Sequence, residues 1–456
     1  MSRLLRPVPL SLAIGTLITT CYSLFSIRQW QRFEVPSWDL GIFTQVMRSY
    51  SELRAPVAQI KGEDFMILGD HFHPLLVVLA PVYALFPSGL TLLIVQAVLV
   101  GLSVVIVTAC AVRHLGPAGG AGIGLAYGIS WGLQSAVASQ FHEIALALPL
   151  LAASMAALIR RADRVAALWA LPLLAVKEDL GLTVAMIGLV IAWRGSRRIG
   201  VALAGIGIAA FVLITQLVLP ALNPDGVWDY ADDSLGSLLV NDPGAAINRL
   251  VEGGPQKLAL LILVFGITAF LAFGSPLALI AAPTLAWRIT SDVPFHWDTH
   301  WHYSAVLMPI MFAALIETLI RSPQWKRLAP MAGACVAIIA LALTTQFPLG
   351  RLASSQFWST DDRPAAAAAA LAVIPDDALV VTDITLMAYL APRTQVYWLG
   401  NDNPVPDFVV LDQNSGVYAE PPDDAAQWAR DRFGVPFVTV HELGGFLVAQ
   451  RQDTDP

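Results

Sequence analysis

Five short groups of residues hold most of what this chain can offer chemically. Asp39 stands between Trp38 and the apolar run Leu40-Gly41-Ile42-Phe43, and His71 and His73 flank Phe72 between Asp70 and Pro74. His142 and Glu143 follow Phe141, Lys177, Glu178 and Asp179 interrupt an apolar stretch, and Phe295 to Tyr303 includes His296, Asp298, His300 and His302 among large aromatics. A carboxylate in apolar and aromatic surroundings suits general-base work on an incoming hydroxyl, usually worth about 10²–10⁴ in rate. Lys177 suits an anionic phosphate, and Glu178 or Asp179 suits sugar hydroxyls or a cation. The rings and polar groups through Tyr303 suit stacking and hydrogen bonding to a sugar.

Each group also has a purely structural reading. Asp39 fits an N-cap for a helix starting at Leu40, and Glu143 fits the positive end of a helix dipole. Residues 177–179 fit a turn between two short helices, 71–73 a wet interfacial loop, and 295–303 an aromatic belt. On extended backbone, residues i and i+2 share a face, and Pro74 favours extended backbone just before it. His71 and His73 therefore reach one phosphate or metal, and His300 and His302 repeat the spacing. Four imidazoles with nearby acids are a donor set for a divalent cation, although spacing alone does not decide it, and the sequence leaves open whether Mg2+ or Mn2+ takes part.

The elements that must position these groups are membrane helices. Of the 456 residues, 56% are hydrophobic and 13% charged, against about 25% charged in soluble domains. Apolar segments fall at 8–27, 75–86, 89–112, 118–137, 143–159, 165–177, 180–193, 199–219, 257–273, 276–290, 303–320 and 328–346. The first follows Arg3 and Arg6 as a signal peptide would, but lacks a small-residue cleavage site and reads as a spanning helix. Segment 75–86 is bordered by Pro74 and Pro87, contains Pro81, and is too short to cross a core of roughly 30 Å. With that segment re-entrant, the basic clusters Arg3/Arg6, Arg113, Arg160/Arg161/Arg164, Arg194/Arg197/Arg198 and Arg321/Lys326/Arg327 all fall on one side, as cytoplasmic loops require. The expectation is a multi-pass α-helical protein of the cytoplasmic (plasma) membrane with about eleven spanning helices and the amino terminus inside. The loop 28–74 and the other chemistry-bearing ends then share the outer face, although only Lys and Arg at the opposite ends set the sidedness. Ionisable groups are expensive at such depth, so their gathering on one face points to a site.

Residues 1–350 form this transmembrane part. From 351 to 456 the chain turns rich in Asp and Pro, with β-like runs at 378–381, 407–411, 436–440 and 446–449 and helical patterns at 364–373 and 421–433. This reads as a small α/β domain outside the membrane. Cys21, Cys110 and Cys335 lie in separate apolar runs with neither metal spacing nor a plausible disulfide partner. The net charge of −7 says little about nucleic acid, but no basic, aromatic-interleaved stretch appears that would bind it.

The ordered set Trp38-Asp-Leu-Gly-Ile-Phe43, His71-Phe-His-Pro74 with Leu79-Ala-Pro-Val-Tyr-Ala-Leu-Phe-Pro87, Phe141-His-Glu143, Lys177-Glu-Asp-Leu-Gly181 and His302-Tyr-Ser304 resembles an uncharacterised family of bacterial polytopic membrane proteins. That family is itself similar to GT-C-type glycosyltransferases. The resemblance covers most of residues 25–320 and is weaker in the tail, at Ile374-Pro-Asp-Asp377 and Val381-Thr-Asp383. It implies an inverting glycosyltransferase using a polyprenyl-phosphate sugar, with Asp39 as base and basic or His residues on the lipid phosphate. The chain departs from a paired-acid pattern in holding Asp39 alone. The expected substrate-binding set is His71, His73, His142, Glu143, Lys177, Glu178, Asp179, His300, His302 and Tyr303, and the acceptor is a glycan, lipid or protein. Two other readings remain. A transporter or lipid flippase would want charges near the bilayer midplane and paired half-repeats, whereas a scaffold recruiting a partner would leave Lys177-Glu178-Asp179 without a purpose.

Overall fold

The computed structural model describes residues 7–228 and 242–452. The Arg3/Arg6 cluster and residues 229–241, between the apolar segments 199–219 and 257–273, lie outside them. Among the described residues, four helices are long and apolar enough to cross a membrane: Val8–Gln31, Gly89–Leu115, Arg197–Leu222 and His302–Ile320. Pro74–Leu85, Glu143–Ile159, Leu180–Trp193, Gly254–Gly266 and Ala329–Thr344 are apolar but shorter.

Several apolar runs that read as single segments are broken. The 118–137 run divides into Pro117–Gly128 and Trp131–Ala138. The 165–177 run is a helix Asp163–Ala170 continued as a 3-10 turn over Leu171–Ala175, with Pro172 in its first positions. Proline explains that change, because it lacks the N–H an α-helix interior requires. The 75–86 run is likewise a 3-10 turn, Pro74–Leu79, then a short helix, Ala80–Leu85.

Small residues let the helices approach closely. Between Leu180–Trp193 and Arg197–Leu213, a Cβ at Gly207 would stand 2.5 Å from the Gly181 carbonyl oxygen, and one at Gly200 2.5 Å from that of Gly188. Helix pairs in an apolar medium gain contact in this way, since lipid offers no hydrophobic drive between them.

The carboxyl-terminal part is a small sheet domain of five strands: β1 (Leu379–Thr382), β2 (Gln395–Trp398), β3 (Phe408–Asp412), β4 (Phe437–Leu443) and β5 (Phe446–Arg451). Their order is β2-β1-β3-β5-β4, with β1 parallel to β2 and β3, and β5 antiparallel to β3 and β4. Alternation along the strands gives two buried faces. Val380, Val396, Phe408, Val410, Phe446 and Val448 join the core of the helical body. Val381, Tyr397, Val409, Leu411 and Leu447 form a second core under helix Ala425–Phe433.

The sheet domain is fastened to the helix that begins at Asp39. Gln45 Nε2 donates to the Val396 carbonyl at 2.8 Å, and Arg48 Nη1 to the Thr394 carbonyl at 2.9 Å. Tyr389 stacks on Trp30 with ring centroids 3.8 Å apart and donates its hydroxyl to the Trp30 carbonyl at 2.6 Å. At Gly41 the backbones run so close that a Cβ would lie 2.9 Å from the Met387 Cβ.

Candidate functional site

Each group of chemical residues sits where an apolar element begins. Asp39 is the first residue of helix Asp39–Ser51. His73 precedes the turn Pro74–Leu79, and His142 precedes the turn Glu143–Leu146 that leads into Ala147–Ile159. Residues 177–179 link the turn Leu171–Ala175 to Leu180–Trp193, and His302 opens the turn before Leu307–Ile320.

These starts meet, and their charges pair across the chain. Lys177 Nζ lies 2.8 Å from Glu143 Oε1. His71 Nδ1 lies 2.7 Å from Glu178 Oε1, while the Phe72 amide donates to Glu178 Oε2 at 3.0 Å. His142 Nε2 stands 3.5 Å from Asp39 Oδ2. The His142 ring stacks on that of His302, centroids 3.6 Å apart, and Tyr303 adjoins His302 at 4.1 Å. Phe43, one turn along the helix from Asp39, meets His73 at 5.6 Å, Phe141 at 5.5 Å and His142 at 6.1 Å. This wedge aligns the loop histidines with the helix start.

Asp39 does not cap its helix: the N-cap is Trp38, and the turn has no side-chain cap bond. The turn at 177–179 exists as the structural reading supposed, yet Lys177 and Glu178 both carry partners from other elements.

Burial and charge oppose each other here. Burial pushes the Asp39 carboxyl up, but His142 outweighs it and holds the acid below its ordinary value. His142 is correspondingly raised, Asp39 overcoming the effect of its burial. Burial and the charge of Lys177 push His71 down, but Glu178 and Asp70 carry it above the usual imidazole range. Burial takes His73 down to about 4, so it is neutral near pH 7. Burial lifts Asp179 to about 6. Four buried atoms in this group, His73 Nδ1, His302 Nδ1, Asp179 Oδ1 and His142 Nε2, have no hydrogen-bond partner among the described residues, the last facing Asp39 only at 3.5 Å. Buried polar groups are normally satisfied, so such atoms are places where a ligand binds at an advantage.

His300 stands apart from this gathering. It is 67% exposed, bonded through Nδ1 to its neighbour Asp298 at 2.8 Å. The repeated spacing does not bring His300 to the cluster although Trp301 between the two is extended, because Asp298 holds His300 at the surface while His302 stacks on His142. Among the described residues, no three His, Cys, Asp or Glu side chains converge as a metal-holding group. Asp39, Glu143 and Glu178 face His142, Lys177 and His71 instead, so these acids do not fit a resident Mg2+ or Mn2+.

Arg288, absent from the expected set, is fully buried. It donates to the carbonyls of His296 and Asp298, at 2.5 and 3.0 Å, and to Ser304 Oγ at 2.8 Å, which pins the 296–304 stretch. A lone arginine inside the apolar run 276–290 was the available signal, since such a charge requires partners.

The family described as predicted membrane protein (DUF2079) matches residues 30–432. The chain belongs to the DUF2079 family. The match takes in every residue of the site and most of the sheet domain. No curated protein matches the chain. As a DUF2079 protein with several apolar helices, it is a membrane protein in contact with a bilayer.

Proposed function

We propose that the protein is an inverting, GT-C-like membrane glycosyltransferase. In this reading it transfers a sugar from a polyprenyl-phosphate donor to a glycan, lipid or protein acceptor, with Asp39 as general base. The observation that carries the reading is the environment of the Asp39 carboxylate. Its side chain is 31% exposed, against 3% for Glu143 and 4% for Glu178, so it is the open member of the ion-paired acids. It is also held ionised beside His142.

In the transfer, the acceptor oxygen forms its bond to the anomeric carbon while the carbon–oxygen bond to phosphate breaks. Asp39 takes the hydroxyl proton, and the departing phosphate takes the electron pair. Lys177, His71 and the unpartnered nitrogens of His73 and His302 meet that charge, which is where electrostatic catalysis acts. Lys177 and His71 are already paired, so the phosphate shares them with Glu143 and Glu178.

The same reading includes about eleven crossings of the cytoplasmic membrane, the broken pair Pro117–Gly128 and Trp131–Ala138 making one of them. Residues 1–350 are then the membrane part, with the amino terminus inside. Residues 351–456 and the site lie on the extracytoplasmic side. The basic clusters at the opposite ends support that sidedness, and the gathering of charged helix starts supports a shared face.

The pairing of Lys177 with Glu143 and of His71 with Glu178 favours a second reading, a transporter or lipid flippase, because buried acid–base pairs also line ion and proton pathways. Proteoliposomes loaded with radiolabelled polyprenyl-phosphate sugars separate the two. Product of inverted anomeric configuration is expected from the glycosyltransferase. Donor that changes leaflet without forming product would overturn that reading in favour of transport.

A further inference from the structure

We propose that the rim formed by Trp38, Lys61, Asp70 and Trp398 is a binding subsite for a neutral sugar ring. Its role as the acceptor side of the reaction rests on the glycosyltransferase reading; sugar binding by the rim does not.

The rim begins at the residue next to Asp39. The indoles of Trp38 and Trp398 meet edge to face, with centroids 4.8 Å apart and planes at 78°. Both are only partly buried, so apolar ring surface remains open between the first long loop and β2. Lys61 Nζ stands 5.6 Å from the Trp38 ring and 5.6 Å from that of Phe65. It also pairs with Asp70 Oδ2 at 3.2 Å. Asp70 is 8% exposed, and its second oxygen, Oδ1, is buried with no hydrogen-bond partner among the described residues. Trp398 Nε1 and Asn403 Oδ1 are also buried without partners among the described residues, although Asn403 Nδ2 donates to the Trp398 carbonyl at 2.7 Å. Asn401 Nδ2 bonds the Ile60 carbonyl at 3.0 Å, so the turn after β2 closes on the loop that carries Lys61.

The chemistry of this set selects the ligand. Aromatic surface takes the C–H face of a pyranose by apolar burial. A hydroxyl of the ring gives Asp70 Oδ1 the donor it lacks, and a neighbouring hydroxyl accepts from the Lys61 ammonium, which has three N–H groups. An anion would meet the bare oxygen of Asp70 and be repelled, so the ligand is uncharged. A few placed polar groups against ring surface are how small-molecule sites fix orientation. The rim adjoins the ion-paired cluster at both ends, through Asp39 and through His71. The sheet domain thereby supplies part of the site.

The test uses the full-length protein in nanodiscs and saturation-transfer NMR with methyl glucoside, methyl mannoside, methyl galactoside and chitobiose. At least one should bind. Trp398→Ala should weaken it tenfold or more, Trp398→Phe should restore most of it, and Asp70→Asn should weaken it while keeping the side-chain volume. Thermal melts identify any variant that fails to fold, and Asp70→Asn keeps the test decisive if Trp398→Ala does. No binding of any of the four sugars, or binding indifferent to these folded variants, would overturn the subsite. Sugar binding that follows the variants in a protein with no transfer activity would remove the glycosyltransferase reading and leave the subsite standing. Transfer whose acceptor KM ignores Trp398→Ala would leave the glycosyltransferase standing and overturn the rim's acceptor role.

Discussion

Glu178 holds His71 across 107 residues of sequence, its Oε1 2.7 Å from the imidazole Nδ1. Its other oxygen takes the adjacent Phe72 amide, so one buried carboxylate fixes both the side chain and the backbone of the loop. Glu178→Gln keeps the shape and removes the charge. Hydrogen bonds to charged groups are worth about 1.5–3 kcal/mol, so the variant should lose about 2 kcal/mol of stability in detergent melts. Burial would then act on His71 without Glu178, and its titration by NMR should move to lower pH. An unchanged His71 titration would contradict this account.

His142 keeps Asp39 ionised against the effect of burial. Removing the imidazole in His142→Gln leaves the burial and removes the opposing charge, so the Asp39 carboxyl should titrate at higher pH. If Asp39 is the base, activity falls as pH drops through its value, and the acid limb of the kcat/KM profile should shift upward in the variant. The basic limb offers a second check. Wild-type His142 is raised, so its positive charge is lost only as pH climbs past the ordinary imidazole value of about 6.5.

Gly41 sits where the Asp39 helix touches the sheet domain, and an added Cβ would be 2.9 Å from both the Met387 Cβ and the Ile60 Cδ1. Overpacking of this kind usually costs about 1–3 kcal/mol. Gly41→Ala should therefore lower the melting temperature by several degrees. It should also lower kcat more than it changes donor KM, because the displaced group is the base and not the phosphate contacts.

Asp383 joins the ends of β1 and β3. Its Oδ2 accepts from the Asp412 amide at 2.6 Å and the Tyr418 hydroxyl at 3.2 Å, and its Oδ1 from the Thr385 amide at 3.0 Å. Burial pushes its carboxyl up to about 7 in spite of these bonds. A folded value above the unfolded one, about 3.9, means the contribution is fully present below pH 4 and lost as pH rises through about 7. Stability of the sheet domain should fall across that window, and Asp383→Asn should flatten the dependence. Chemical unfolding at pH 4.5 and 8 measures it.

Much of this was legible in the chain, for definite reasons. The β-like runs at 378–381, 407–411, 436–440 and 446–449 correspond to β1, β3, β4 and β5, because each is a short apolar or alternating stretch bounded by turn residues. β2 was missed: Gln395–Trp398 is four residues long, follows Arg393-Thr394, and owes its place to pairing with β1. Asp39, His71, His73, His142, Glu143, Lys177 and Glu178 could be singled out because charge at the end of an apolar run is expensive and therefore conspicuous. Which partners they take was not legible, since Lys177–Glu143 and His71–Glu178 are fixed by how separate helices pack. His300 misled for a related reason, its spacing to His302 saying nothing of the Asp298 carboxylate that holds it at the surface. The rim of Trp38, Lys61, Asp70 and Trp398 left no sequence signal, because it brings together residues from both ends of the chain.

Transfer of radiolabelled sugar from polyprenyl-phosphate donors, compared in membranes carrying wild type or Asp39→Asn at equal folded amounts, tests the central claim most directly. The account predicts transfer by the wild type and a loss of about 10²-fold or more in the variant, the usual contribution of a general base. Equal transfer by both proteins would remove Asp39 as the base. Transfer by neither, above empty membranes and with every donor tried, would contradict the glycosyltransferase itself.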